Sequence, residues 1–275
     1  MQNYRDLMRM IQIGELNKTY TMPVGIDDEK LATVAGGYFM KIYQTCTFEW
    51  YQVKKWAEIH GYNFQNEGTA FYNKENGMKP VTKVSWRDVI VWINALSEMT
   101  RFDPVYRTES GEIIRDSRDT NTNVVDKAVQ TNSNGYRLPT NIEWEMAARW
   151  RNSGGDGSIL VGERYWTPGN YASGASACFY NVAETREVAW YWNEPGNSPI
   201  SVGQLKPNQL GIYDMSGNVW EWTFDSHPEY SSERILRGGS YYSYSTSMRV
   251  GEVSSFLPNG VSSNFGFRLV RGSTA

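Results

Sequence analysis

The sequence predicts an α+β fold of low regular structure, with few helices set among short, twisted antiparallel strands. Three observations carry that prediction. Only three stretches combine a helix start signal with helical apolar spacing. Glycine and asparagine recur every few residues from 151 onward. The 275-residue chain also holds 11 Trp and 18 Tyr, flat side chains that supply packing where regular structure is sparse.

The first helix is expected from Thr47, read as its N-cap, through FEWYQVKKWAEI to Gly61. The second starts at Ser85 in SWRD and places Ile90, Val91, Ile93 and Leu96 on one side. The third starts at Thr140 in TNIE and brings Ile142, Met146 and Arg149 onto nearby turns. The last two starts are capping boxes, and each cap stabilises its helix by about 1 kcal/mol. Between the second and third helices, VYRTESGEIIRD reads as a hairpin around Ser110-Gly111, followed by a polar excursion. With no repeat, heptad pattern or low-complexity linker, residues 1–275 are expected to form one domain.

Composition excludes several functions. Net charge is −3 and no Lys/Arg block exceeds two residues, so the clustered positive surface that binds phosphate backbones is missing and no nucleic-acid partner is expected. No apolar run approaches the roughly 20 residues that span a bilayer, so no transmembrane segment is expected. The N-terminus MQNYRDLMRMIQIGEL has no signal-peptide core, so a targeting segment for export would lie outside this chain. The two histidines, His60 and His227, are too few for a multi-histidine iron or zinc site. A Ser-His-Asp triad lacks a G-x-S-x-G elbow. Cys46 and Cys178 match no metal spacing and read as small buried apolar side chains.

The blocks GYRLPTNIEWEMAAR (135–149), PNQLGIYDMSGNVWEWT (207–223), RGGS…NFGFRLV (237–270) and KPVTKVSWRDVIVWINALSE (79–98) resemble, in order, those of the formylglycine-generating-enzyme, or sulfatase-modifying-factor, family. The resemblance covers the chain from about residue 34. It implies a C-type-lectin-like fold, a term that gives no licence to infer sugar binding. Trp144, Trp220 and Trp222 are expected in the core, and Arg137 and Arg268 as buried or semi-buried polar ties to backbone or carboxylates. Family oxidases carry a copper-binding cysteine pair just after the RG-x-S block, where a thiolate is both soft ligand and nucleophile. Here Ser243 and Met248 fall at those places, so neither copper nor an organic cofactor is expected and the chain reads as a non-enzyme.

The stretch from Tyr241 to Asn264 then needs another explanation. Its 24 residues include seven Ser, three Tyr, one Phe, two Asn and two Gly. That mixture suits a binding surface, because tyrosine offers rigid contact area while Ser, Gly and Asn adapt their hydrogen bonding. It also resembles the variable region of diversity-generating-retroelement target proteins, and is closest to the treponemal variable proteins of that class. The resemblance implies a ligand-binding region at about 237–271 with variable positions Tyr242, Ser243, Tyr244, Ser247, Glu252, Ser254, Ser255, Phe256, Leu257, Asn259, Ser262, Ser263 and Asn264. Met248, Val250, Val253 and Pro258 would anchor the segment between them. A solvated loop that merely links two strands is the plainer alternative.

DMSGNVWEW (214–222) resembles the family's calcium loop. The match implies a structural Ca²⁺ held by the carbonyls of Ser216, Gly217 and Val219 and the carboxylate of Glu221. The alternative is a glycine turn before an aromatic strand, with Glu221 satisfied by backbone or arginine. The expectation as a whole is a monomeric, non-catalytic display protein exported to the bacterial cell surface, with a variable, unidentified ligand, itself expected to be a protein. A family enzyme with altered chemistry and a structural accessory protein are the rivals.

Overall fold

The structure, a computed structural model, describes residues 7–70, 74–119, 124–155, 157–192 and 197–272. In chain order, strands β1 (Met10–Ile13), β2 (Tyr38–Lys41), β3 (Tyr136–Arg137), β4 (Trp220–Ser226), β5 (Arg234–Arg237), β6 (Val253–Phe256), β7 (Phe265–Gly266) and β8 (Val270–Arg271) build two four-stranded sheets. The first has the order β1-β2-β8-β3, antiparallel throughout. The second has the order β6-β5-β4-β7, with β4 and β7 parallel and the other pairs antiparallel. The remaining strands form two-stranded ribbons, the longest pairing Thr19–Val24 with Lys30–Ala35.

Five α-helices lie among these strands in the described residues: α1 (Thr47–Glu58), α2 (Lys74–Gly77), α3 (Trp86–Met99), α4 (Asn141–Arg149) and α5 (Val182–Val188). Three are the expected ones. The cap of α1 is Cys46 rather than Thr47, because the Glu49 carboxylate reaches back to accept the Cys46 backbone N–H at 2.8 Å. The capping boxes at Ser85 and Thr140 form as expected, with Asp88 and Glu143 closing them. The helices α2 and α5 are only four and seven residues long, too short for apolar periodicity to reveal.

Helix α3 corrects the sequence reading in a second way. It is buried on every side from Trp86 to Ser97, not along one stripe. Its Asn94 side chain donates to the carbonyls of Tyr106 (2.7 Å) and Ile114 (3.0 Å). The turn around Ser110-Gly111 is closed by an Arg107–Ile113 bridge, but Tyr106–Arg107 takes Val129–Gln130 as its strand partner. The expected hairpin is therefore short: the Thr108 N–H bonds the Glu112 carbonyl at 2.9 Å and the Ile114 N–H the Tyr106 carbonyl at 3.3 Å, while the Asn94 amide takes the Tyr106 N–H (3.0 Å) and the Ile114 carbonyl that would complete that rung.

One core cluster joins α1 and α3 to β4, with Trp50 stacked on Trp92 at 5.7 Å and Phe267 edge-on to both. A second joins the first sheet to α4 through Met40, Trp144 and Val270. Trp144, Trp220 and Trp222 are buried as expected. Arg137 forms a two-pronged pair with Glu143 at 2.6 and 2.7 Å. Cys46 is fully buried, and burial pushes its thiol far up, leaving it protonated and inert. Cys178 departs from the expectation and is only half-buried. No helix of the described residues is long and apolar enough to cross a membrane.

Candidate ligand-binding surface

The surface begins where β5 ends. Gly238 and Gly239 both take left-handed backbone angles, φ 94° and 76°. A Cβ on Gly239 would stand 2.3 Å from Met248 Cε and 2.5 Å from the Ser247 carbonyl. Only glycine lets the 3-10 turn Ser245–Met248 fold back over this corner.

Buried Ser240 is the hub that follows. Its hydroxyl lies 2.9 Å from that of Ser243 and accepts from the Tyr242 backbone N–H (3.3 Å) and the Asn264 amide (3.2 Å). Tyr241 is buried as well, and its hydroxyl donates to Ser263 Oγ at 3.2 Å. These bonds tie the first residues of the segment to its last. Tyr242 and Tyr244 point the other way and are 59% and 69% exposed.

Three inward anchors then hold the middle. Met248 inserts among Ala172, Ala175, Val188, Ala189 and Tyr191, and its carbonyl accepts from Ser216 Oγ at 2.7 Å. Val250 is buried, with its N–H on the Tyr171 carbonyl at 2.8 Å. A Cβ on Gly251 would meet the Gly25 carbonyl oxygen at 2.2 Å. Beyond them Glu252 pairs with Arg249, and β6 runs along the edge of the second sheet with Ser254 opposite Leu236 and Ser255 opposite Ile235. Phe256 rests edge-on against Phe265 at 5.3 Å. Pro258 is buried and its carbonyl accepts from the Arg87 backbone N–H at 3.2 Å, while the Ser262 carbonyl accepts from the Lys83 backbone N–H at 2.9 Å.

All thirteen residues expected to vary lie on one continuous segment. Tyr242, Tyr244, Phe256, Leu257, Asn259 and Ser263 are exposed, and Ser243, Ser247, Glu252, Ser254, Ser255, Ser262 and Asn264 are half-buried. Of the expected anchors, Met248, Val250 and Pro258 are buried and Val253 is half-buried. Sequence reasoning missed Trp192. Its ring stands edge-on to Tyr242 at 5.1 Å and 6.0 Å from Tyr244, and the Trp192 backbone N–H binds the Ser243 carbonyl at 2.9 Å. Nothing in the local sequence around Trp192 signals a partner so far along the chain.

The donor sets fit neither metal that the resemblance raises. At the oxidase positions stand a Ser243 hydroxyl bonded to Ser240 and a Met248 thioether packed in an apolar cluster, so no thiolate pair faces a copper ion. At the calcium loop, Ser216 and Gly217 pair as a short strand with Ala189 and Trp190. Buried Glu221 accepts from Arg268 Nε and Trp144 Nε1 on one oxygen, both at 2.7 Å. Its other oxygen accepts from Arg268 Nη2 at 2.7 Å and Gln44 Nε2 at 2.9 Å. The carboxylate is thus already satisfied on both oxygens, chiefly by arginine, the alternative the sequence left open.

The profile of the sulfatase-modifying factor enzyme 1-like domain matches residues 8–273. A chaperone protein, LppX, of Paenibacillus barcinonensis is 33% identical over 240 residues, covering 79% of this chain and 76% of that protein. A formylglycine-generating enzyme of Streptomyces coelicolor is 38% identical over 167 residues, about half of each chain. Among solved structures, Treponema denticola variable protein 1 superposes with a TM-score of 0.71 at 26% identity, covering 95% of both chains. The α+β architecture and the four sequence blocks agree with these matches, and the chain belongs to the sulfatase-modifying factor, or formylglycine-generating-enzyme, family.

Proposed function

We propose that this protein is a non-catalytic display receptor, exported to the cell surface, whose segment 241–264 binds a protein ligand through side chains that differ between copies of the gene. One observation carries the reading. Along this segment the thirteen candidate positions all reach solvent, while Tyr241, Met248, Val250, Gly251 and Pro258 between them are buried. Such an arrangement lets contact chemistry change without changing the core. The likeness to a treponemal protein named as variable supports the same reading.

Affinity would come chiefly from the aromatic ledge of Trp192, Tyr242 and Tyr244, where a well-packed hot spot contributes on the order of 2 kcal/mol. The surrounding serines and asparagines adapt their hydrogen bonds to each partner. The family's oxidase chemistry has no part in this reading, because Ser243 and Met248 supply neither nucleophile nor soft thiolate.

A second reading is favoured by the 33% identity to a protein named as a chaperone. On that reading the same surface is constant and holds one client. Sequencing the codons for 237–271 across clonal isolates separates the two. Changes gathered at the thirteen positions, with RGGS and GFRLV unchanged, are expected for a display receptor. An invariant segment would reject diversification and favour the accessory role.

A further inference from the structure

The oxygen cage of the 214–221 loop is filled by part of the protein itself. The side-chain nitrogen of Gln44, a fully buried residue, lies 2.9 Å from the Val219 carbonyl and 2.9 Å from Glu221 Oε1. It also lies 3.2 Å from the Asp214 carbonyl and 3.4 Å from the Gly217 carbonyl. Four oxygens from one loop converge on one nitrogen. Three of them belong to residues that the sequence resemblance assigned to calcium: Gly217, Val219 and Glu221.

We propose that the Gln44 amide is a built-in substitute for a cation, which makes this scaffold independent of calcium. An amide NH₂ carries partial positive charge and two hydrogens. The two oxygens at 2.9 Å take those hydrogens, and the other two feel the same positive end at longer range. Chemistry fixes the orientation. A flipped amide would set Gln44 Oε1 against four acceptors with no proton between them. The orientation present leaves Oε1 buried without a partner, so the nitrogen's placement is what the site is arranged around.

Distance and charge argue the same way. Calcium binds six to eight oxygens at 2.3–2.6 Å, whereas these oxygens stand 2.9–3.4 Å from their common centre, as N–H acceptors do. The Arg268 guanidinium already neutralises Glu221. A divalent ion added beside that pair would be a buried charge without compensation. Gln44 is also held in place from its own segment. The Thr45 N–H binds the Phe267 carbonyl at 2.8 Å, and the Lys41 ammonium reaches the Gln44 carbonyl at 3.4 Å.

The test compares the wild type with Gln44→Ala and Gln44→Glu, each in chelator and in millimolar CaCl₂, by thermal unfolding and calorimetric titration with Ca²⁺. The wild type is expected to show the same Tm in both buffers and no binding isotherm. Removing the amide opens the cage, and the glutamate replaces a donor with a further acceptor. Both variants should melt lower in chelator, and Gln44→Glu, whose added carboxylate compensates the ion, should bind one ion per chain and regain several degrees of Tm with calcium. Wild-type protein that binds an ion and loses Tm in chelator would overturn the proposal. So would a folded Gln44→Glu that binds none. Should neither variant fold in chelator, recovery on refolding with calcium supports the cage and failure to recover rejects it.

Discussion

Asp214 is where a single residue's chemistry is most exposed to experiment. Burial pushes its carboxyl up to about 6, a rise only partly opposed by the Gly203 N–H and the Arg268 guanidinium. The native state therefore holds this proton more tightly than the unfolded chain does. The stabilisation it gives is fully present below the unfolded value near 3.8 and is lost as pH rises through about 6. Asp214→Asn keeps an acceptor for Gly203 and tolerates the residue's left-handed φ of 58°. We expect it to exceed the wild type in stability by on the order of 2 kcal/mol at neutral pH. The two should converge near pH 4, as read from urea midpoints across that range. Residues of this kind divide sharply in legibility. Arg268 was recognisable as a buried tie because a lone arginine in an apolar run needs a carboxylate. Gln44 and Trp192 were not, since their partners are fixed by tertiary approach and leave no local pattern.

At the level of elements, the helix starts were legible because a capping box is a chemical requirement written in four residues. SWRD and TNIE fold as read. At the start of α3, Asp88 does more than close the box. It also accepts from the Ser117 hydroxyl at 2.7 Å, the Asn66 amide at 2.7 Å and the Gln65 N–H at 3.0 Å. Ser85→Ala removes one cap acceptor and is expected to lower stability by about 1 kcal/mol. Asp88→Ala strips several buried donors at once and should cost clearly more, both read from chemical unfolding at neutral pH. The strands were far less legible. Elements of two residues such as β3, β7 and β8 have no alternation to detect, and their pairing is decided by the core around them. For the same reason the rung beyond the Ser110-Gly111 turn is completed by the Asn94 amide, a contact fixed by tertiary approach.

Across the whole molecule, changeable surface and fixed support are interleaved in one segment. Replacing Tyr242, Tyr244, Leu257 and Asn259 together by serine should change stability by less than about 2 kcal/mol, since exposed substitutions are each worth roughly 0.5 kcal/mol. The single change Met248→Ala empties a filled apolar site and should cost about 2–5 kcal/mol. A reversed ranking in denaturant midpoints would show that the segment is not divided in this way. This division was partly legible: the anchors Met248, Val250 and Pro258 could be named from the sequence, while the contribution of Trp192 from outside the segment could not. The placement of β8 has a further consequence for how the protein is made. That strand follows the segment in the chain yet sits inside the first sheet, bonded to β2 on one side and β3 on the other. On the ribosome, the first sheet cannot close until residues 241–264 have been translated in frame. A premature stop or frameshift within them leaves β3 without a sheet partner and one edge of β2 open, so a truncated copy is expected to stay open to proteolysis and to present no folded surface.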